Sequence, residues 1–204
     1  MTQERIQDTP RNVDVQEHAT VFHGAIWDIQ RDSFIIEATD QPMTREYMQH
    51  PGAVAIVAVD TTNRVAMVRQ YRHPLGQDCW EIPAGLRDVD GEDMITTAQR
   101  ELAEEADLIA DNWSVLIDHC PSGGSSSEAI RIFLAQELRS VPPNQRHTRQ
   151  AEEAHLALQW VPLQDALTAI LAGDVRNGNA VAGIMAAQLV LQGQHAARPI
   201  EATF

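Results

Sequence analysis

Glu101, Glu104 and Glu105 fall within five consecutive residues of a 204-residue chain. On a helix the first and last of them are i, i+4 and the first two are i, i+3, so three carboxylates share one face within about a turn. Such a face has two readings. It is a solvated acidic surface, or it holds a hard divalent cation such as Mg2+, which takes oxygen ligands and shares them with phosphates. Like charges at these spacings destabilise an isolated helix by roughly 0.2–0.5 kcal/mol per pair, and a bound cation reverses that sign. Asp88, Asp90, Glu92, Asp93 and Asp107 extend the acidic segment, against Arg87 and Arg100 alone. Gly85 frees the backbone to bend close to a ligand, leaving the Ala84 carbonyl as another hard donor. Glu92 and Arg100 stand about two turns apart, so a pair between them can clamp the preceding loop to the helix.

These residues form a longer pattern. The segment GLRDVDGEDMITTAQRELAEEADL (85–108) resembles the Nudix signature, Gly-x5-Glu-x7-Arg-Glu-apolar-x-Glu-Glu-x-Gly-apolar, with Gly85, Glu92, Arg100, Glu101, Leu102, Glu104, Glu105 and Leu108 at its positions. Six residues rather than five separate Gly85 from Glu92, and Asp107 stands where the signature has Gly. Asp tolerates the left-handed backbone better than most residues, so the helix can still stop there. A wider resemblance, to the ADP-ribose pyrophosphatase branch, runs from about residue 20 to 192. It rests on QYRHP (70–74), WEIPAG (80–85), a Gly/Ser loop ending in Glu128 and an N-terminal β unit.

The resemblance implies an α+β fold, a Nudix α/β/α sandwich with a mixed sheet, preceded by a small N-terminal antiparallel β unit. It implies hydrolysis of the pyrophosphate of ADP-ribose to AMP and ribose 5-phosphate, with Mg2+ or Mn2+ as cofactor. Another nucleoside diphosphate sugar, or a non-catalytic Nudix-fold ligand-binding module, are the alternatives. Carried over by position, Glu101 and Glu105 are the principal metal ligands, Glu104 contributes, and the Ala84 carbonyl completes the site. Glu104 and Glu105 thereby belong to the catalytic set. Glu128, after SGGSSS (122–127), matches the general base on a mobile loop; otherwise it is a solvated carboxylate at a strand start. Gly85, Glu92 and Arg100 are structural. Arg72 matches a phosphate- or ribose-contacting Arg, with an ordinary strand-end Arg as the alternative. Arg45 is a weaker substrate-binding candidate. Trp27 either stacks on adenine or fills a core. In this branch the small β unit exchanges between subunits, which implies a homodimer.

Composition narrows the field independently. The 15 basic residues are all Arg, against 29 acidic ones, for a net charge of −14. Without Lys there is no Schiff-base chemistry and no P-loop. The charge disfavours a nucleic-acid partner, which needs clustered basic residues. Cys79 and Cys120 make no CxxC, so no disulfide framework is expected. No apolar run reaches membrane-spanning length, and the polar segment from Met1 to Asn12 lacks a secretory core, so a cytoplasmic protein without membrane association is expected.

The elements that must position these residues follow from the apolar pattern. Residues 1–17 read as a flexible tail and 194–204 as another. Residues 18–50 read as two or three antiparallel strands too short to bury their own core. Residues 51–193 are left for the catalytic domain. There, AVAIVAV (53–59) reads as a buried strand, RVAMVRQY (64–71) as its return, and CWEIPAG (79–85) as a short strand ending at Pro-Ala-Gly. A helix follows from about Glu92 to Asp107, with Ile95, Ala98 and Leu102 as its core stripe. WSVLIDH (113–119) and AIRIFLAQEL (129–138) read as strands. PPNQRHTRQ (142–150) is a loop, and two helices run from Pro162 to Gly173 and from Ala180 to Leu191. Trp80, Trp113 and Trp160 are assigned to packing.

Overall fold

The structure, a computed structural model, describes residues 6–36, 41–149 and 156–204. Expectations that fall on residues 1–5, 37–40 and 150–155 lie outside the described residues. The chain divides into two compact units, Met1–His50 with Ser122–Ser127, and Pro51–Pro121 with Glu128–Phe204.

The smaller unit is a three-stranded antiparallel sheet in the order β1-β2-β3, from Asp14–His23, Asp28–Ile35 and Pro42–Gln49. Strand β1 begins at Asp14, inside the segment expected to be tail. Its residues are almost all exposed, which is why no amphipathic alternation announced it. The Ser-rich loop belongs to this unit. Met48 N–H donates to the Ser125 carbonyl (2.9 Å) and Ser127 N–H to the Met48 carbonyl (3.0 Å). His50 N–H donates to Ser127 Oγ (2.9 Å). A loop expected to be free to close is therefore laced along β3 at its C-terminal end.

The larger unit is built on a mixed sheet in the order β7-β4-β9-β8. Its strands are Ala84–Leu86 (β7), Ala53–Ala58 (β4), Ile130–Ser140 (β9) and Leu108–His119 (β8). Strand β4 is buried on both faces. Ala53, Ala55 and Val57 join the cluster that holds Leu163, Ala166 and Ile170 of helix α2 (Leu163–Ala172) and Ile184 and Ala187 of α3 (Gly178–Leu191). Val54, Ile56 and Ala58 join Ala98, Leu102 and Ala106 of α1 (Met94–Ala106). Helices thus cover both faces, the α/β/α layering expected. Helix α3 approaches closely at Gly183, where a Cβ would meet Val57 Cγ2 at 2.8 Å.

One strand expectation needs correction, and two strands were not read. The run 64–71 turns back with one antiparallel bridge, Val65 to Val59, and then leaves the β4 sheet. As β5 (Arg64–Arg72) it pairs with β10 (Ala157–Pro162) and β6 (Gln77–Glu81) in a second antiparallel sheet. A strand apolar on both faces takes an interior place, and β4 gains its neighbours from β7 and, in parallel, β9. Strand β7, opening at Ala84, was not read, but β6 stops at Glu81, as expected at Pro-Ala-Gly, because no ladder continues through the N–H that is missing from Pro83. Its carbonyl instead accepts from Ile56 N–H (2.8 Å) and starts the chain along β4. Strand β10 was missed because its residues are mostly exposed.

The segment 194–204 is not a loose tail in the structure. Arg198 and Val115 exchange backbone hydrogen bonds of 2.8 and 2.9 Å. Arg131, buried on β9, pairs with Asp118 (2.7 Å), donates to the Ala202 carbonyl (2.7 Å) and lies over the Phe204 ring. A buried guanidinium needs several acceptors, and the C-terminal segment supplies one of them.

Candidate active site in the carboxylate cleft

Helix α1 starts at Asp93, whose side chain accepts from Thr96 N–H (2.8 Å), an N-cap that holds its carboxyl below the usual range. It stops at Asp107, which takes the left-handed conformation (φ 54°, ψ 35°) that the signature reserves for Gly. Arg149 offsets that strain: Nη2 donates to Asp107 Oδ2 (2.8 Å) and Nε to the Glu104 carbonyl at the helix end (2.9 Å).

Between these caps the apolar stripe turns Glu101 and Glu105 inward, where both are buried, with Glu104 half-buried beside them. All three line a cleft of about 300 Å³ with Gln70, Arg72, Ala84 and Gly85. Arg100 organises it. Its Nη1 donates to Glu101 Oε1 (2.6 Å) and Glu104 Oε2 (3.3 Å), and its Nη2 to Glu92 Oε2 (3.2 Å). The clamp expected between Glu92 and Arg100 is present. Burial disfavours the Arg100 charge, but the Glu92 hydrogen bond and the charges of Glu101 and Glu92 outweigh it and hold the guanidinium above its ordinary range. Hydrogen bonds from Arg100 and Thr97 hold Glu92 low.

Strand β7 closes the other side. Ala84 N–H donates to Glu105 Oε2 (2.9 Å). Gly85 lies directly against Glu101: a Cβ there would overlap its Cδ, Oε1 and Oε2. The carboxylate occupies the space of the missing side chain. Among the described residues no three Asp, Glu, His or Cys groups converge as a ready-made ligand set. Arg100 donates to Glu101 and Glu104, and the Ala84 N–H donates to Glu105. The donor chemistry, carboxylate oxygens on one helical face in a cleft shaped by Gly85, fits a hard divalent ion.

The NUDIX domain profile matches residues 48–182, about two thirds of the chain. The chain belongs to the Nudix family. It is 41% identical over 182 residues to an ADP-ribose pyrophosphatase of Mycobacterium tuberculosis, covering 89% of this chain and 86% of that protein. It is 33% identical over 169 residues to an ADP-ribose pyrophosphatase of Bacillus subtilis, covering 83% of this chain and 89% of that one. A solved structure of an ADP compounds hydrolase shares the fold, with a TM-score of 0.75 over 92% of this chain and 98% of that one, at 18% identity.

In this Nudix protein the remaining candidates divide between the two units. Arg72 lines the cleft, but Nε and Nη2 form a bidentate pair with buried Glu81 (2.8 and 2.7 Å). Sequence reading missed Glu81; the signal was a carboxylate at an inward position of an apolar strand, which demands a cation. Glu128 is half-buried and immediately precedes Ala129, whose carbonyl accepts from Ala53 N–H (3.1 Å). Ala53 pairs with Leu86 on one side and Ile130 on the other. Strand spacing therefore sets the Gly85 region and the Glu128 region roughly 10 Å apart, at one end of the sheet. Arg45 and Trp27 belong to the smaller unit. Arg45 is exposed and donates to the Thr44 carbonyl (2.8 Å). The half-buried Trp27 stacks on His50, with ring centroids 4.5 Å apart and planes 16° apart.

Proposed function

We propose that this Nudix hydrolase cleaves the pyrophosphate of ADP-ribose to AMP and ribose 5-phosphate, using Mg2+ or Mn2+. The single observation that carries the reading is the cleft in which Gly85 seats the Glu101 carboxylate beside Glu104, Glu105 and the Arg100 clamp. The names of the two curated relatives support the choice of substrate.

Glu101 and Glu105, with Glu104 and the Ala84 carbonyl, hold the cation. A divalent ion held there would supply Lewis-acid chemistry, offsetting phosphate charge and lowering the pKa of water so that a base can turn it into a nucleophile. Glu128 takes the proton from the attacking water as its oxygen bonds to phosphorus, and the bridging P–O bond breaks with its electron pair leaving on the departing phosphate. Arg72, held in place by Glu81, steadies a phosphate or ribose group. Arg45 and Trp27 bind substrate, Trp27 with its ring turned to adenine.

The protein acts as a homodimer through its smaller unit. Strand β1 and its flank expose Val15, Val21, Phe22 and Ile26, an apolar set a lone subunit leaves in water. Two free cysteines suit a reducing cytoplasm. Among the described residues no helix is long and apolar enough to cross a membrane.

The deciding experiment offers ADP-ribose, GDP-mannose, UDP-glucose and diadenosine polyphosphates with and without Mg2+, and identifies the products. Mg2+-dependent release of AMP and ribose 5-phosphate, fastest from ADP-ribose, is expected. Preference for another nucleotide sugar replaces the substrate assignment, and absence of turnover replaces catalysis with ligand binding. Solution mass tests the dimer; a fully active monomer contradicts it.

A further inference from the structure

In the larger unit most guanidinium groups are committed to carboxylates: Arg64 to Asp60, Arg72 to Glu81, Arg100 to Glu92 and Glu101, Arg131 to Asp118, Arg149 to Asp107. Arg87 is different. Among the described residues it donates no side-chain hydrogen bond and makes no ion pair, and its Nε is buried without an acceptor. A desolvated, charged donor left unsatisfied is costly and needs an explanation. Nothing about its sequence position marked it, since Nudix signatures leave that place open.

Its location supplies the explanation. Arg87 follows β7 and continues the ladder, its N–H donating to the Gly52 carbonyl (3.1 Å). It is therefore two residues along from Gly85 and shares the strand face on which Gly85 abuts Glu101. Its chain neighbours Leu86 and Asp88 line the cleft, so Arg87 stands at the margin of the cleft rather than in its lining. On its other side, a Cβ placed on Gly52 would touch Arg87 Nη1 (3.6 Å) and the Ala129 carbonyl (3.3 Å) together. The Arg87 side chain thus lies beside Gly52, close to the carbonyl of the residue that follows Glu128. Gly52 keeps that space open, at a φ of 91° that disfavours any side chain.

We propose that Arg87 is an anion-binding residue of this cleft, taking a phosphate oxygen of a nucleoside diphosphate. The charge distribution requires one. The cleft is lined by Asp88 and three glutamates, while Arg72 and Arg100 already share their donors with Glu81, Glu92 and Glu101. Arg87 brings five N–H donors in a planar fork that matches a phosphate, with no carboxylate competing for them. The assignment rests on the Nudix reading of the cleft and adds a binding residue to it.

The test compares wild type with Arg87→Met and Arg87→Lys. Affinity for α,β-methylene-ADP, a diphosphate that resists cleavage, is measured calorimetrically in Mg2+, alongside KM and kcat for ADP-ribose and thermal unfolding without ligand. Arg87→Met should weaken α,β-methylene-ADP binding and raise KM by about 10- to 100-fold, with kcat changed less. Arg87→Lys should fall between, keeping the charge but losing the fork. The unliganded Tm of Arg87→Met should be unchanged or higher, since an orphaned donor is removed. Affinity within twofold of wild type overturns the assignment, as does a fall in Tm with KM unchanged, which marks a structural Arg. If wild type hydrolyses no nucleotide sugar, the proposed function fails, while the α,β-methylene-ADP titration still decides the role of Arg87.

Discussion

Replacing Gly85 with Ala puts one methyl group where the structure has a carboxylate. The Gly85 backbone lies outside the left-handed region, so Ala adds no torsional strain there. The whole effect is steric. The added Cβ would sit well under 3.0 Å from three atoms of Glu101. Regaining ordinary contact forces that carboxylate to move by about 1 Å or more, away from a position fixed by Arg100 at 2.6 Å. A misplacement of that order costs about 10²-fold in rate when the group positions the reacting centre. Overpacking of this kind costs about 1–3 kcal/mol, or about 2–12 °C in Tm at this chain length. Gly85→Ala should therefore fold, lose about 10²-fold in kcat/KM, and need more Mg2+ for half-maximal rate. Rates are measured across a Mg2+ series, with folding followed by circular dichroism. Gly91→Ala is the control. Gly91 has a positive φ of 79° but nothing within 4 Å, so Ala costs about 1–2 kcal/mol of backbone strain and leaves the rate within a few-fold. Wild-type kcat/KM and Mg2+ dependence in Gly85→Ala would refute the placement of Glu101 as a metal ligand seated on this glycine.

Glu128→Gln should lower kcat by more than about tenfold while leaving Mg2+ affinity largely intact, as steady-state rates and metal titration will show; an unchanged kcat removes Glu128 as the base. Arg72→Met should destabilise the protein to urea by about 2 kcal/mol or more, and by more than Glu81→Gln. It strands a buried carboxylate, whereas the reverse leaves a half-exposed guanidinium that water can solvate. Asp60 is opposed by burial, but hydrogen bonds from Arg64 and Thr62 pull its carboxyl down from 3.8 to about 2. Its folded value is the lower one, so its stabilisation is full above the unfolded value and is lost as pH falls through about 4 towards 2. Allowing for partial solvent screening, about 1–2 kcal/mol should vanish over that interval in wild type and not in Asp60→Asn, by urea unfolding at each pH.

Much of the geometry of the candidate site was legible without coordinates because it is local. Glu101, Glu104 and Glu105 share a face by helical periodicity, Glu92 reaches Arg100 across about two turns, and the stop of α1 is written in Asp107. The double-sided burial of β4 was equally plain in an unbroken apolar run. What only the tertiary structure decided involves residues far apart in sequence or dependent on a neighbour's backbone. Pairing of β5 with β10, the seating of the C-terminal segment on Arg131, the capture of Arg72 by Glu81 and the lacing of the Ser loop along β3 depend on which strands become neighbours. Residue type cannot report that a Gly85 Cβ would collide with Glu101, or that the Arg87 Nε is left without an acceptor. A side chain's chemistry belongs to the residue, but whether its hydrogen-bonding capacity is already used belongs to the packing around it.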